Sequence, residues 1–431
     1  MSAKFLISAG VALTVLAGCT EEDLILPGER FDLRAQAQEV NQVRAVSLTS
    51  PRANADWTHR NGDADHLIPH PALGSNLQPV FVTAIGEGDS RRARITADPV
   101  VAGGVIYTLD ARATVSATST AGQLLWQRNV APGSDNLSDA SGGGLAVSGG
   151  QLYVTSAFGA VTALDAASGE TRWVQDLDAP ALAPPTVRGG LVYVIARDST
   201  AWALEPTNGR VQWQVSGTPS TANFSSGAAP AVNDSIAILP FPSGEIIATF
   251  PEGGLRRWSS VISGERLGRA ASVITDIGGD PVIEGNRVYV ANFGGRVAAF
   301  DTFNGDRLWT AGEGAISPVW PAGGSLFLVN DLNQLVRLDA STGQPIWRTS
   351  LPTFRGENTR RQNRIVAHYG PILAGGRLIV ASSDGVIRQF DPRSGGALGD
   401  IAIEGGAASH PVVAGQTLYV VSKTGQLHAF R

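Results

Sequence analysis

Apolar residues come along this chain in short alternating runs, such as 152–155 and 288–292, divided by small-residue turns such as Gly149-Gly150 and Gly294-Gly295. Residues 281–309, PVIEGNRVYVANFGGRVAAFDTFNGDRLW, contain the whole phrase. A Pro-Val opens a first strand, a glycine turn leads to a second, another to a third ending in Phe-Asp, and a tight turn precedes a fourth strand carrying Trp309. Period-two runs bounded by Gly, Asn and Asp predict strands and hairpins, so the chain reads as all-β. Runs such as VYVANF and LVYVIA are apolar on both faces, which predicts sheets packed on both sides.

The phrase recurs. Trp126, Trp173, Trp213, Trp258, Trp309 and Trp347 follow one another at intervals of 47, 40, 45, 51 and 38 residues. A period of about 40–50 residues with turn chemistry at fixed offsets marks a propeller or solenoid. Asp110, Asp165, Asp301, Asp339 and Asp391 are read as one repeated turn position, with a glycine four residues on in Asp165 to Gly169 and Asp339 to Gly343. Four strands per unit make a propeller blade, and the wide indole is placed to fill the gap between neighbouring blades. A seventh unit runs from Pro371 through Asp391 to Gly396, with Leu398 in the place of the tryptophan. An eighth starts at Pro411 and stops at Arg431 after three strands; residues 79–85, PVFVTAI, supply the fourth, with Phe81 in the tryptophan position. The expectation is an eight-bladed β-propeller over residues 79–431, four antiparallel strands per blade, its ring closed by the N-terminal strand. Closure also removes free sheet edges.

The first nineteen residues read differently. Lys4, an apolar run over 5–16 and Leu16-Ala17-Gly18-Cys19 describe a secretory signal peptide over residues 1–18, too short to span a bilayer stably. Cys19 is the single cysteine of the 431 residues, so an intramolecular disulfide and a thiolate cluster are both excluded. The ending LAGC resembles the bacterial lipobox, which implies lipidation of Cys19 and anchoring without spanning. Thr20 and Glu21 follow, with no Asp beside the cysteine, which resembles the outer-membrane sorting default of Gram-negative lipoproteins. Residues 19–78 have little apolar periodicity apart from a weak amphipathic stretch at 31–46, and read as a lipidated N-terminus and polar tether.

Charge narrows the function. Charged residues make up 16% and the net charge is −5, and a chain without a basic tract is a poor fit to nucleic acid. His59, His66, His70, His368, His410 and His428 show no metal-binding spacing, and no GxSxG elbow, P-loop or dinucleotide fingerprint is present.

The ALDAxxGxxxW phrase, intact from Ala163-Leu164-Asp165-Ala166 through Gly169 to Trp173, resembles the pyrroloquinoline-quinone-type propeller repeat. Quinoprotein dehydrogenases and the outer-membrane assembly factors of the BamB family share it, and the resemblance covers residues 79–431. The dehydrogenase branch implies a vicinal cysteine pair, a Ca²⁺ held by carboxylate and amide oxygens, and a catalytic Asp. A chain with one cysteine lacks the pair, and an Asp repeated in blade after blade reads as a turn residue. The expectation is therefore no cofactor and no catalysis, with a quinoprotein-like dehydrogenase, or a cell-envelope propeller lipoprotein with another partner, as the alternatives.

Function then belongs to the long connections. Three stand out: TPSTANFSSGAAP at 218–230, VISGERLGRAASVITDIGGDP at 261–281 and the Arg-rich LPTFRGENTRRQNRIVAHYGP at 351–371. The third is read as a solvated insertion, with contact to anionic lipid headgroups or an acidic partner as the alternative. The BamB resemblance implies that the first two dock the periplasmic POTRA repeats of the barrel-inserting subunit BamA, alongside other assembly-complex subunits. Phe224 matches the apolar anchor of the first loop and Ser225 the position of its arginine; Arg266 or Arg269 is the candidate replacement charge. Asp276 matches the first acidic position of the second loop, while the second position is Gly278. Outer-membrane attachment, a periplasmic setting and contact with unfolded β-barrel precursors complete what the resemblance implies.

Overall fold

The computed structural model describes residues 41–133, 135–136, 142–220, 227–264, 266, 274, 276–356 and 365–431. Among them every regular element is a strand, and the strands form eight four-stranded antiparallel sheets arranged as the blades of one ring. Blade 5 consists of Ile277–Glu284, Arg287–Asn292, Arg296–Asp301 and Arg307–Ala311. Blade 8 takes Val412–Ala414, Thr417–Ser422 and Gln426–Phe430 from the C-terminus and its outer strand, Pro79–Ala84, from the front of the chain. The expected closure is formed: Phe81 pairs with Ala429 and Ala84 with Gln426.

The repeated tryptophan joins each blade to the next. The indole N–H of Trp309 donates to the carbonyl of Ala340 at 3.0 Å. Its ring lies against Gly343 of that same turn, where a Cβ would sit 2.5 Å from the indole. Trp126, Trp173, Trp213, Trp258 and Trp347 donate in the same way to Ala166, Pro206, Pro251, Thr302 and Pro392. The Asp of the turn folds it for this contact: Asp301 Oδ1 accepts the Phe303 N–H at 2.8 Å and its carbonyl accepts the Gly305 N–H at 2.9 Å. Phe81 takes the same role from blade 8 to blade 1, pressing on Gly122 where a Cβ would lie 2.7 Å from its ring.

Two positions differ from expectation. In blade 7 the residue opposite Gln389, the register occupied elsewhere by tryptophan, is Gly399. Leu398 points outward and is 59% exposed. The reason lies in blade 8, which has no turn there to receive an indole: its third and outer strands come from opposite parts of the sequence, with Gln78 N–H on the Arg431 carbonyl at 2.7 Å and the reverse bond at 2.9 Å. Asp110 is not in the docking turn. It sits after the second strand of blade 1, Val105–Leu109, where its carboxylate accepts the N–H groups of Arg112, Thr114 and Glu87 at 2.7–2.8 Å.

The larger departure concerns residues 41–78, expected as tether. They pack on the propeller, and residues 54–71 travel once around its axis as a collar. Each blade's inner strand turns an unpaired edge to the axis, and buried backbone N–H groups need acceptors. Val101 of blade 1 donates to the Trp57 carbonyl, Val147 of blade 2 to Thr58, Val232 of blade 4 to Ala64 and Ile283 of blade 5 to Asp65, at 2.7–3.0 Å. Val187 of blade 3 donates to His59 Nε2 at 3.0 Å. Gly375 of blade 7 and Gly415 of blade 8 donate to Pro71 and Asn54 at 2.8 and 2.7 Å. Blade 6 has Pro321 at this register and no N–H to give; there Trp57 stacks on Trp320, centroids 6.2 Å apart. Arg52 and Pro71 lie side by side and close the circuit, with the Ala72 N–H on the Arg52 carbonyl at 2.8 Å. Polar composition made this segment look unstructured, but it is the backbone that it contributes. Residues 41–46 form no helix; the rest of the 31–46 stretch, the signal peptide and Cys19 lie outside the described residues.

The indole contact is testable at two glycines of equal backbone strain. Gly343 and Gly324 have φ of +71° and +73°, but only at Gly343 does an added Cβ meet an indole; at Gly324 nothing lies within 4 Å. Gly324→Ala should cost only the left-handed backbone term, roughly 1–2 kcal/mol. Gly343→Ala should cost about 1–3 kcal/mol more through overpacking, read as a lower melting temperature in parallel scans. Equal losses would contradict the docking account.

Candidate partner-docking face and its axial anchor

In an antiparallel blade the connections from the outer strand to the next blade share one face of the disc with the turns between second and third strands. The long crossovers into blades 4 and 5 are therefore neighbours on one face. Of the expected contact residues, Phe224, Ser225 and Arg269 lie outside the described residues, as does the Arg-rich 357–364 stretch.

Arg266 is held within the molecule. Its guanidinium spans both oxygens of Asp331 in blade 6, at 2.8 and 2.9 Å, and reaches the Gly312 carbonyl at 2.8 Å. Asp331 in turn accepts the Gly314 N–H at 3.0 Å. Glu313 beside it is bound by Arg348 at 2.6 Å and by Asn330 at 2.7 Å. A bidentate Arg–carboxylate pair is the geometry that fixes a loop most firmly, so Arg266 secures the crossover to the neighbouring blade. Asp276 is only 4% exposed. It stands at the edge of a small apolar cleft between blades 3, 4 and 5, walled by Leu182, Ile195, Phe241 and Ile277, with the exposed Arg197 at the rim.

A buried charge cluster lies beneath this face, and the sequence reading missed it. His59, Arg60, Asn61 and Gly62 form a tight turn of the collar, its ends joined by the Gly62 N–H on the His59 carbonyl at 3.1 Å. Asn61 and Gly62 adopt φ of 60° and 116°, values that Asn and Gly tolerate best. The turn points Arg60 along the axis. Arg60 Nε donates to Asp98 at 2.9 Å and Nη1 to Asp280 at 3.4 Å, all three side chains nearly fully buried. Asp98 precedes Pro99 of blade 1 and Asp280 precedes Pro281 of blade 5, blades on opposite sides of an eight-membered ring. Asp98 also accepts the His410 backbone N–H at 2.7 Å and pairs with His410 Nδ1 at 2.9 Å, while His410 Nε2 meets Ser317 Oγ at 2.8 Å. Burial pushes the Asp98 carboxyl up, but His410 and Arg60 together hold it well below the usual carboxylate range. Nothing in the local sequence marks Arg60 as buried; the Asn-Gly turn signal beside it is the one available hint.

These charges answer each other, which bears on cofactor chemistry. A calcium ion beside a quinone wants six to eight converging oxygens. Among the described residues no three Asp, Glu, His or Cys side chains converge on one point. The buried acids Asp98 and Asp280 are committed to Arg60. The residues present do not fit that group.

A family profile described as outer membrane protein assembly factor BamB matches residues 111–349 and 324–398. The chain belongs to the BamB family. BamB of Yersinia pestis is 24% identical over 402 residues, covering 91% of this chain and 99% of that protein. BamB of Burkholderia pseudomallei is 25% identical, covering 83% and 88%. In fold, the crystal structure of BamB from Moraxella catarrhalis superposes with a TM-score of 0.68 at 19% identity, covering 83% of this chain and all of that one. A quinohemoprotein alcohol dehydrogenase from Comamonas testosteroni gives 0.65 at 14% identity, covering 87% and 80%. The likeness to the dehydrogenase is one of fold; the sequence relatives are named as assembly factors, and this BamB-family chain is not an enzyme.

The collar of this BamB-family propeller also carries a pH dependence. His59 accepts the Val187 N–H and must be neutral to do so. Burial, then the nearby His66 and Arg188, lower its pKa from 6.5 to about 3. Because the folded value is depressed, this stabilisation is complete above about pH 6.5 and is lost as pH falls toward 3. Between pH 7 and 4.5 the wild type should lose more of its urea midpoint than His59→Gln, whose amide oxygen accepts the same N–H without titrating. Identical losses in the two proteins would remove His59 from the account.

Proposed function

We propose that this chain is a non-catalytic scaffold subunit of the outer-membrane β-barrel assembly complex, held at the periplasmic face of the outer membrane by lipid on Cys19. Its crossover face, between blades 3 and 5, binds the POTRA domains of a BamA-like barrel-inserting subunit. The observation that carries this reading is the relationship to BamB of Yersinia pestis over 99% of that protein's length.

Two features of the chain support the finer parts. The crossovers into blades 4 and 5 are longer than regular blade connections require, and functional contacts concentrate in such loops on a rigid scaffold. The cleft beside Asp276 offers apolar walls with a charged rim, the anatomy of a protein interface rather than of a solvated surface. Asp276 itself is too enclosed to be a first contact, so the affinity is assigned to Phe224 and the cleft rim, with Ser225, Arg266 and Arg269 flanking. Signal-peptide cleavage before Cys19 and a tether confined to residues 19–40 complete the proposal. Transient contact with barrel precursors belongs to the same role.

The test is co-purification from detergent-solubilised outer membranes with the full-length chain as bait. A BamA-like subunit should be recovered with the wild type. Phe224→Ala should reduce recovery severalfold with an unchanged melting temperature, a hot-spot loss. Cys19→Ala should move the chain to the soluble periplasmic fraction. Absence of any barrel-assembly subunit from the wild-type eluate would overturn the assignment.

A further inference from the structure

We propose that Arg60 is a positioning residue for the docking face: from the collar it fixes the end of the crossover into blade 4 and the first strand of blade 5, into which the second crossover leads. The inference rests on the function proposed above and adds to it a part played by the N-terminal segment.

The geometry is specific to the two blades concerned. Arg60 Nη1 is shared between the Gly227 carbonyl at 3.5 Å and Asp280 Oδ1 at 3.4 Å. The same Asp280 oxygen accepts the Ala229 N–H at 2.8 Å. Residues 227–229 are the last of the crossover into blade 4, and Asp280 lies in the first strand of blade 5, just beyond the crossover that leads into it. One carboxylate on the first strand of blade 5 therefore binds the end of the crossover into blade 4, and one guanidinium holds that carboxylate from the axis. The other branch of Arg60 is anchored across the ring, on Asp98 at 2.9 Å and on the Thr96 carbonyl at 3.5 Å. Asp98 is itself fixed by His410. Gly227 and Ala228 also wall the cleft beside Asp276, so a shift of Arg60 moves the cleft as well as the loop ends. A planar fork is what this arrangement uses, since a lysine ammonium has the charge but cannot span two acids on opposite blades.

Arg60→Lys is the main variant, because it leaves the buried acids with a cation. Asp280→Asn is the second: it retains the shape and the Ala229 contact but weakens the hold of Arg60. Hydrogen exchange and affinity for an isolated POTRA array are measured on the full chain. In both variants amide exchange should rise about tenfold at 227–232 and 276–284, by local opening. It should stay unchanged in the distant strand Thr171–Asp176 of blade 2. POTRA affinity should fall roughly five- to twenty-fold, the range of couplings between contacting residues. A uniform rise in exchange across all blades would reduce Arg60 to a general stability role and overturn the proposal, as would unchanged exchange at both segments. Should the wild type itself fail to bind the array, the proposed function falls, and the exchange data still decide whether Arg60 positions these segments.

Discussion

The contact between one blade's indole and the next blade's glycine turn is the constraint from which the rest of this molecule follows. A blade alone exposes two apolar faces and two edges, and has no stable life outside the ring. The indole N–H finds a carbonyl in the next turn, its ring finds a glycine with no Cβ, and the aspartate folds that turn to present both. The three residues are one device in two pieces; Gly and Trp recur together, while Glu205 and Phe250 stand in the aspartate's place in the turns of blades 3 and 4. Where the receiving turn is missing, between blades 7 and 8, the tryptophan is missing too.

Closing the ring creates a second problem at its centre. Inner strands from all eight blades bring unpaired edges to a narrow axis, and the collar at residues 54–71 answers them with backbone carbonyls and the imidazoles of His59 and His70. It also carries the one guanidinium that ties blade 1 to blade 5. Taking either partner from so buried a pair typically costs about 3–5 kcal/mol, so the N-terminal segment is part of the fold rather than an appendage to it. The face proposed for docking is thus supported from behind by the collar segment.

How much of this was legible in the sequence depends on what repeats. Blade number, strand order, the closing strand at Pro79–Ala84 and the substitution of Phe81 for tryptophan all follow from period and turn spacing. The single-residue error at Leu398 arose because the register shift between Gln389 and Phe390 cannot be read without the pairing. Asp110 was misassigned because an Asp after an apolar strand looks alike in either turn. The collar was invisible for a deeper reason: it binds through main-chain carbonyls, which leave no side-chain pattern. Arg60 and His59 look like surface residues in a polar stretch, and only the geometry shows them buried. At the proposed docking face the sequence marks two long connections, but it does not show that Arg266 is tied to Asp331 or that Asp276 is enclosed.

The central claim is that the crossover face, and not the collar face, meets the barrel-inserting subunit. Photo-crosslinking in intact cells tests it most directly, with a benzophenone residue placed at the exposed Arg197 beside the cleft or at the exposed Phe303 in a docking turn of the opposite face. The account predicts an adduct with the POTRA-bearing subunit from position 197 and none from position 303. An adduct from 303 alone would contradict it.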